Sequence, residues 1–181
     1  SVGDEPMLVA GSTHEGEEEA ILGIFRRLRS DFPNLRLLIA PRYPERANRI
    51  AALARQFGFE AGLRRSSSRL QPARVEVPVL ILDTIGELLD AYGLANLVFV
   101  GGSFVPRGGQ NILEPAGQGK PVLYGPNMAN FVDSVEVLQG RGGIQLGSYD
   151  ELEQVLRSLL ERPEECKRLE QIALESVGKV S

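Results

Sequence analysis

Residues Gly101–Phe131 have the sequence GGSFVPRGGQNILEPAGQGKPVLYGPNMANF, which combines a glycine-rich loop with an apolar segment further along. The run Leu97–Val100 leads into it, and a short run of β-branched and aromatic residues is typical of a buried strand. Pro121–Tyr124 predicts a second strand. A strand, a glycine loop, a short helix and another strand form half of a nucleotide-binding α/β unit, whose ligand binds at the carboxyl ends of the strands.

The residues between these two strands, Asn111–Gly117, predict a short helix that begins beside the glycine loop. The free N–H groups and the dipole at the start of a helix attract an anion. Asn111 and Glu114 are three residues apart, so we expect both side chains on one face of the helix. The Glu114 carboxylate could then accept hydrogen bonds from a pair of sugar hydroxyls.

Composition restricts the class of protein. The chain has 181 residues, 43% of them hydrophobic, and a formal charge of −4, which fits one globular domain and argues against a nucleic-acid binder. No apolar run approaches the roughly 18 residues of a membrane span. The polar start Ser1–Pro6 does not resemble a signal peptide, and the single cysteine, Cys166, excludes an internal disulfide. The cytoplasm is therefore the expected compartment, and the abrupt start without Met suggests an excised domain.

The first predicted strand, Met7–Ala10, leads into a polar turn. Ser12 and Glu15 have the spacing of a capping box for the next helix. The acidic residues of Glu15–Glu19 are interpreted as first-turn residues that the helix dipole favours. Thr13 and His14 lie beside Ser12 at the carboxyl end of the strand and could contact a ligand. A structural role for His14, the only histidine in the chain, stays open.

The second predicted strand, Leu35–Ala40, is followed by Arg42. An arginine at the end of a strand and before a helix is well placed to bind a phosphate with two hydrogen bonds. The alternative is a surface arginine paired with Glu45. Pro44 suits the first turn of the next helix, where its missing N–H costs nothing.

A third polar turn follows the apolar strand Val79–Asp83. The backbone of Thr84–Gly86 could hydrogen-bond the edge of a base, with Ile85 covering the ring. The alternative is a simple helix cap by Asp83 or Thr84. Between the second and third turns, Arg64–Arg74 holds several arginines and serines and predicts an exposed loop, with weak attraction to anionic lipid headgroups as the alternative.

Six or seven short strands alternate with helices along the whole chain. This alternation predicts a Rossmann-like α/β fold, with a parallel sheet covered by helices on both faces. Ser148 and Glu151 repeat the capping-box spacing near the carboxyl terminus. Cys166 is in helical register with apolar residues and is predicted to be an inert core thiol.

Four segments, all at the ends of predicted strands, together resemble the 3-deoxy-D-manno-octulosonic acid (Kdo) transferases, which are inverting glycosyltransferases of the two-domain GT-B architecture. They cover GSTHEGEE, PRYPER, DTIGEL and the long glycine-rich stretch, in this order: Gly11–Glu18, Pro41–Arg46, Asp83–Leu88 and Gly101–Phe131. Other residues replace the histidines usual in the family at three positions: Tyr43, Gln110 and Asn127.

The resemblance implies the carboxyl-terminal donor-binding half of a GT-B enzyme, as one domain spanning residues 1–181. Its donor would be CMP-Kdo, and the full protein would transfer Kdo to the lipid A precursor in lipopolysaccharide biosynthesis, on the cytoplasmic face of the inner membrane. The amino-terminal acceptor domain, which supplies the general base, is expected to be absent, so this chain should bind without transferring. No cofactor or metal is implied, because no D-x-D motif is present.

The resemblance also implies roles within the site. Arg42 and the helix near Asn111 would hold the phosphate, Glu114 the ribose hydroxyls, and the segment Thr84–Gly86 the cytosine. The expected donor-binding residues are Ser12, Thr13, His14, Arg42, Thr84, Ile85, Gly86, Gly102, Ser103, Asn111 and Glu114.

Two other functions stay open, namely a related transferase that uses a UDP-sugar and a non-catalytic nucleotide-binding domain. A dehydrogenase is disfavoured, since no G-x-G-x-x-G follows the first strand.

Overall fold

A computed structural model describes residues 5–64 and 77–178 of the chain. Seven short strands form one sheet: β1 Met7–Thr13, β2 Arg36–Pro41, β3 Ala61–Leu63, β4 Val79–Ile81, β5 Leu97–Val100, β6 Val122–Tyr124 and β7 Gly143–Gln145. Their order across the sheet is β3-β4-β2-β1-β5-β6-β7, and every neighbouring pair is parallel. The predicted Rossmann-like sheet is confirmed.

Helices cover both faces of this sheet. They are α1 Glu17–Asp31, α2 Ala47–Gln56, α3 Leu88–Gly93, α4 Leu113–Gly117, α5 Val132–Leu138, α6 Tyr149–Glu161 and α7 Pro163–Gly178. One apolar cluster joins α1, α2 and α6 to one face, and a second joins α3, α4 and α5 to the other. Side chains alternate along a strand, so Leu8 and Ala10 enter the first cluster while Met7 and Val9 enter the second.

The strand order reverses at β1. The chain builds outward from β1 through β2, and β5 then returns to pair with the other edge of β1. Loops after β1 and β5 therefore diverge to opposite faces and leave a crevice at the carboxyl ends of the strands, where ligands of such sheets bind. Of the four polar segments singled out in the sequence, two begin in the last residues of β1 and β2, one directly follows β5, and one follows β4 closely.

The two predicted capping boxes have different outcomes. Ser148 does cap α6, because its hydroxyl accepts the N–H of Glu151 at 3.2 Å. The prediction for Ser12 is wrong: this residue still belongs to β1, and α1 begins after Gly16 without a side-chain cap from the described residues. The long strand carries Ser12 too far from the start of the helix to reach its N–H groups.

Several other expectations can be compared directly. Cys166 is fully buried, and burial raises the pKa of its thiol to about 11, as an inert core cysteine requires. After β6, a 3₁₀ turn at Ala129–Phe131 continues into α5. The predicted arginine-rich loop lies outside the described residues except for Arg64. Among residues 5–64 and 77–178, no helix is both long and apolar enough to span a bilayer.

Candidate functional site

The carboxylate of Glu17 joins the loops on the two sides of the crevice. It is fully buried at the start of α1. One oxygen accepts the backbone N–H groups of His14 at 3.0 Å and Gly102 at 2.8 Å, and the other accepts that of Phe104 at 3.0 Å. Several N–H donors can compensate a buried carboxylate for its lost hydration. The sequence suggested only a favourable dipole interaction for Glu17, so this role is a finding of the structure.

The loop after β5 approaches the end of β1 very closely. A Cβ atom on Gly101 would lie 2.7 Å from both the Ser12 carbonyl oxygen and the Thr13 Cα, so a larger residue would force the loops apart. Ser12 itself has a φ of 54°, the only positive value for a non-glycine residue in the described chain. Such a left-handed conformation is costly outside glycine and is often found at functional sites.

A cleft of about 480 Å³ opens at this edge of the sheet. Its walls come from the ends of β1 and β2, from the segment after β4, and from the region of α4. Seven of the predicted site residues line it: Ser12, Arg42, Thr84, Ile85, Gly86, Asn111 and Glu114. Tyr43, Tyr92 and Gln110 also line the cleft, although the sequence did not predict a ligand contact for them.

The other four predicted residues do not line this cleft. The Ser103 hydroxyl is buried and donates to the Val100 carbonyl at 2.7 Å. The Gly102 N–H is already used by Glu17. Thr13 is fully buried, and its hydroxyl has no hydrogen-bond partner among the described residues. His14 lines a neighbouring cavity instead. A ligand role for these four residues stays a prediction.

Arg42 is exposed at the wall of the cleft. Its guanidinium carbon lies 5.4 Å from the centre of the Tyr43 ring, within range of a cation–π interaction. Arg42 and Glu45 both lie in the described part of the chain and form no ion pair, so the predicted alternative is wrong. The backbone N–H of Arg42 donates to the carbonyl oxygen of Thr13 at 3.0 Å. This bond holds the loop after β2 beside the end of β1.

The start of α4 differs from the prediction. Asn111 precedes the helix, and its side-chain oxygen accepts the N–H groups of Leu113 at 2.9 Å and Glu114 at 3.3 Å. These donors are therefore not free to bind an anion, and Asn111 does not share a helical face with Glu114. The preference of asparagine for N-cap positions was the signal in the sequence that would have predicted this cap.

Glu114 and Tyr92 lie together at one side of the cleft. Glu114 is exposed and its carboxylate has no hydrogen-bond partner among the described residues, so this carboxylate is available to a ligand. Tyr92 is almost fully buried, with its hydroxyl packed against Gly11. Burial raises the pKa of Tyr92, and the negative charge of Glu114 raises it further. The tyrosine therefore stays neutral beside the carboxylate.

The segment after β4 forms the opposite wall. Ile85 is 91% exposed, an unusual position for a large apolar side chain, and it offers an apolar surface at the wall of the cleft. Gly86 has a φ of 86°, which glycine adopts without strain. Thr84 donates its hydroxyl to the Glu87 carboxylate, which also pairs with Arg64 at 3.1 Å. The Thr84 side chain thus braces its own segment and does not cap α3.

No group of three or more His, Cys, Asp or Glu side chains converges as metal ligands would within residues 5–64 and 77–178.

Comparison with known proteins gives a consistent result, although no family model matches the chain. The Kdo transferases of Haemophilus influenzae and Aquifex aeolicus are 39% and 35% identical over 168 and 161 residues, which cover 92% and 88% of this chain. The chain belongs to the Kdo transferase family. It spans only 39% and 43% of the length of these two relatives.

Solved structures indicate which domain of the longer relatives this chain is similar to. The carboxyl-terminal CMP-Kdo binding domain of WaaA from Acinetobacter baumannii superposes with a TM-score of 0.87 and 26% identity, covering 97% of this chain and 91% of that domain. The carboxyl-terminal domain of a group 1 glycosyltransferase from Francisella tularensis has a TM-score of 0.68 at 11% identity and shows the fold alone. This Kdo transferase family member therefore has the fold of a GT-B carboxyl-terminal domain.

The role of Glu17 predicts a specific effect on stability. Glu17→Gln should lower the free energy of unfolding by about 2 kcal/mol or more, since each hydrogen bond to a charged group contributes about 1.5–3 kcal/mol and the amide NH₂ would face N–H donors. Urea denaturation measures this change.

The matched control is Glu19→Gln, in the same turn of α1 but exposed. It should change the free energy of unfolding by less than about 0.5 kcal/mol. Equal losses for the two variants would mean that Glu17 acts only through the helix dipole.

Proposed function

We propose that this domain binds CMP-Kdo as the donor half of an inverting glycosyltransferase. The observation that carries the proposal is the cleft itself, because it gathers residues from segments that resemble the family motifs. The similarity of the chain to a CMP-Kdo binding domain, over nearly the whole length of that domain, supports the same donor class. A related transferase that uses a UDP-sugar, or a nucleotide-binding domain without catalytic function, would be the alternative.

The two sides of the cleft suggest how the nucleotide lies. Ile85 offers an exposed apolar surface to a base, and the adjoining backbone offers hydrogen bonds to its edge. Glu114 supplies an unpaired carboxylate for the two ribose hydroxyls. Arg42 supplies the cation for the phosphate, without the help from α4 that the sequence suggested, because Asn111 occupies those N–H groups.

The proposed reaction transfers Kdo from CMP to the lipid A precursor. Departure of CMP increases the negative charge on the phosphate, which a fixed guanidinium such as that of Arg42 would stabilise. A general base must also accept the proton of the acceptor hydroxyl. We assign this base and the acceptor site to an amino-terminal domain outside this chain, so residues 1–181 should bind the donor without transferring it. The full protein would work at the cytoplasmic face of the inner membrane.

The base preference tests the proposed donor. CMP should bind this domain more tightly than UMP or UDP, because the segment Asp83–Leu88 resembles the cytidine-binding segment of the family. Isothermal titration calorimetry measures the three affinities side by side. UMP or UDP binding as tightly as CMP would exclude the cytidine assignment and favour a UDP-sugar transferase.

The proposed role of Arg42 can be separated from a general effect on the cleft. Arg42→Ala should weaken CMP binding about tenfold or more, because it removes a charged hydrogen-bond donor, and should hardly change cytidine binding. Arg49→Ala, which removes an exposed arginine of α2 away from the cleft, is the matched control. If cytidine and CMP lose affinity equally in the Arg42 variant, this residue does not bind the phosphate.

The proposed contact between Glu114 and the ribose is tested by changing the protein and, separately, the ligand. Glu114→Gln should weaken CMP binding and change stability by less than about 1 kcal/mol, because the carboxylate is exposed and unpaired. Wild type should prefer CMP to 2′,3′-dideoxy-CMP, and the variant should largely lose this preference.

Titration calorimetry gives these affinities, and thermal melting gives the stability of the empty domain. A variant that still discriminates like wild type would show that Glu114 does not bind the ribose. A large fall in melting temperature would instead indicate that Glu114 braces the loop.

A further inference from the structure

A second cavity lies directly beside the cleft, on the other side of Tyr43. It has a volume of about 560 Å³ and is lined by His14, Glu15, Tyr43, Arg46, Val105, Pro106 and Arg107. Tyr43 lines both cavities, so its ring forms part of the wall between them. The centre of the Tyr43 ring lies 5.4 Å from the guanidinium carbon of Arg42 and 5.8 Å from the centre of the His14 ring. A ligand in the cleft that extends past Tyr43 would enter this second cavity.

Two arginines line the second cavity, and only one has its charge compensated. Arg46 donates to both oxygens of the buried Glu18 carboxylate, at 3.0 and 2.8 Å. The Arg107 guanidinium makes no hydrogen bond or ion pair with residues 5–64 or 77–178. The carboxylate of Glu15 also lines the cavity, and both Glu15 and Arg107 are exposed to solvent, but these two described residues form no ion pair with each other. Arg107 is therefore the cation best able to bind an anionic ligand.

His14 provides an independent indication that a polar ligand belongs here. Only 6% of the His14 surface is exposed to solvent. Its Nε2 atom is buried and has no hydrogen-bond partner among the described residues. Buried polar atoms without partners are rare in native structures and call for an explanation. Burial and the nearby Arg107 lower the pKa of His14, while Glu17 and Glu18 raise it in part. A neutral imidazole suits hydrogen bonding to a sugar.

The chemistry of an activated sugar acid fits this pair of cavities. In a ketosidic sugar acid such as Kdo, the anomeric carbon bears both the carboxylate and the bond to the phosphate. Two anionic groups therefore lie close together, and a site with two cations can bind each of them separately. The chain offers Arg42 in the cleft and Arg107 in the adjoining cavity, with Tyr43 between them.

We propose that the cavity beyond Tyr43 is the subsite for the acidic sugar of the donor, with Arg107 binding its carboxylate and His14 bordering the sugar. This inference rests on the proposed function, since it requires a nucleotide-linked sugar acid in the cleft. Under this inference Arg107 selects sugar acids over neutral sugars, a role that the family resemblance did not assign to any residue.

The test compares CMP-Kdo with its methyl ester, which lacks the negative charge. Wild type should bind CMP-Kdo about tenfold or more tightly than the ester, as expected for loss of a charged hydrogen bond. Arg107→Ala should bind the two ligands with affinities equal within about twofold, and its affinity for CMP should stay within about twofold of wild type. Titration calorimetry on residues 1–181 measures all three.

Arg141→Ala is the matched control, because it removes an exposed arginine beside the start of β7, at the opposite edge of the sheet. It should preserve the preference for the free acid. Arg107→Lys keeps the charge and should retain part of that preference. Should the alanine variant not fold, as judged by thermal melting, Arg107→Gln serves for the same comparison.

Each other outcome overturns the inference. An Arg107→Ala domain that still prefers the free acid excludes Arg107 as its ligand. Equal losses of CMP and CMP-Kdo would assign Arg107 to the phosphate. If wild type prefers CMP to UMP but binds CMP-Kdo and its ester equally, the proposed function stands and this inference alone fails. If wild type does not prefer CMP to UMP, the proposed function fails as well.

Discussion

The geometry of the site depends on one buried carboxylate. Glu17 begins α1, on one side of the crevice, and accepts N–H groups from the loop after β1 and from the loop after β5. Removing it would leave three N–H donors without an acceptor, two of them buried and that of Phe104 partly buried, which is costly because buried donors lack compensating hydration. The Gly101 N–H also donates to the Gly11 carbonyl at 2.7 Å, and Gly101 approaches Ser12 closely at the same place. The strand order creates the crevice, and Glu17 holds together the loops that follow β1 and β5.

The neighbouring carboxylate performs a related function. Glu18 is buried and pairs with Arg46, which lies between β2 and α2. Consecutive residues of α1 thus connect its first turn to the loops that follow three different strands. Arg42 and Tyr43 project from one of these loops, so their positions relative to the end of β1 are set by backbone and side-chain contacts made before any ligand binds. Such preorganisation reduces the cost of ordering a site on binding.

The motif residues that differ from the family pattern are not scattered at random in the structure. Tyr43 contacts both Arg42 and His14, and it lines both the cleft and the cavity beside it. Gln110 lines the cleft beside Asn111, and Asn127 lines a groove further along the same edge of the sheet. Each can form hydrogen bonds. The cations of this site are the arginines that line the cleft and the cavity beside it.

The sequence by itself determined the parallel α/β fold, since alternating apolar strands and amphipathic helices have few other arrangements. It also predicted Arg42, Glu114 and the segment Thr84–Gly86 as neighbours, because carboxyl ends of parallel strands meet at one edge. Only the tertiary structure decided that Ser12 stays in β1 and that Glu17 joins two loops. Those outcomes depend on which buried N–H groups come within about 3 Å of an acceptor, and residues such as Glu17 and Gly102, far apart in sequence, meet only after the sheet has formed.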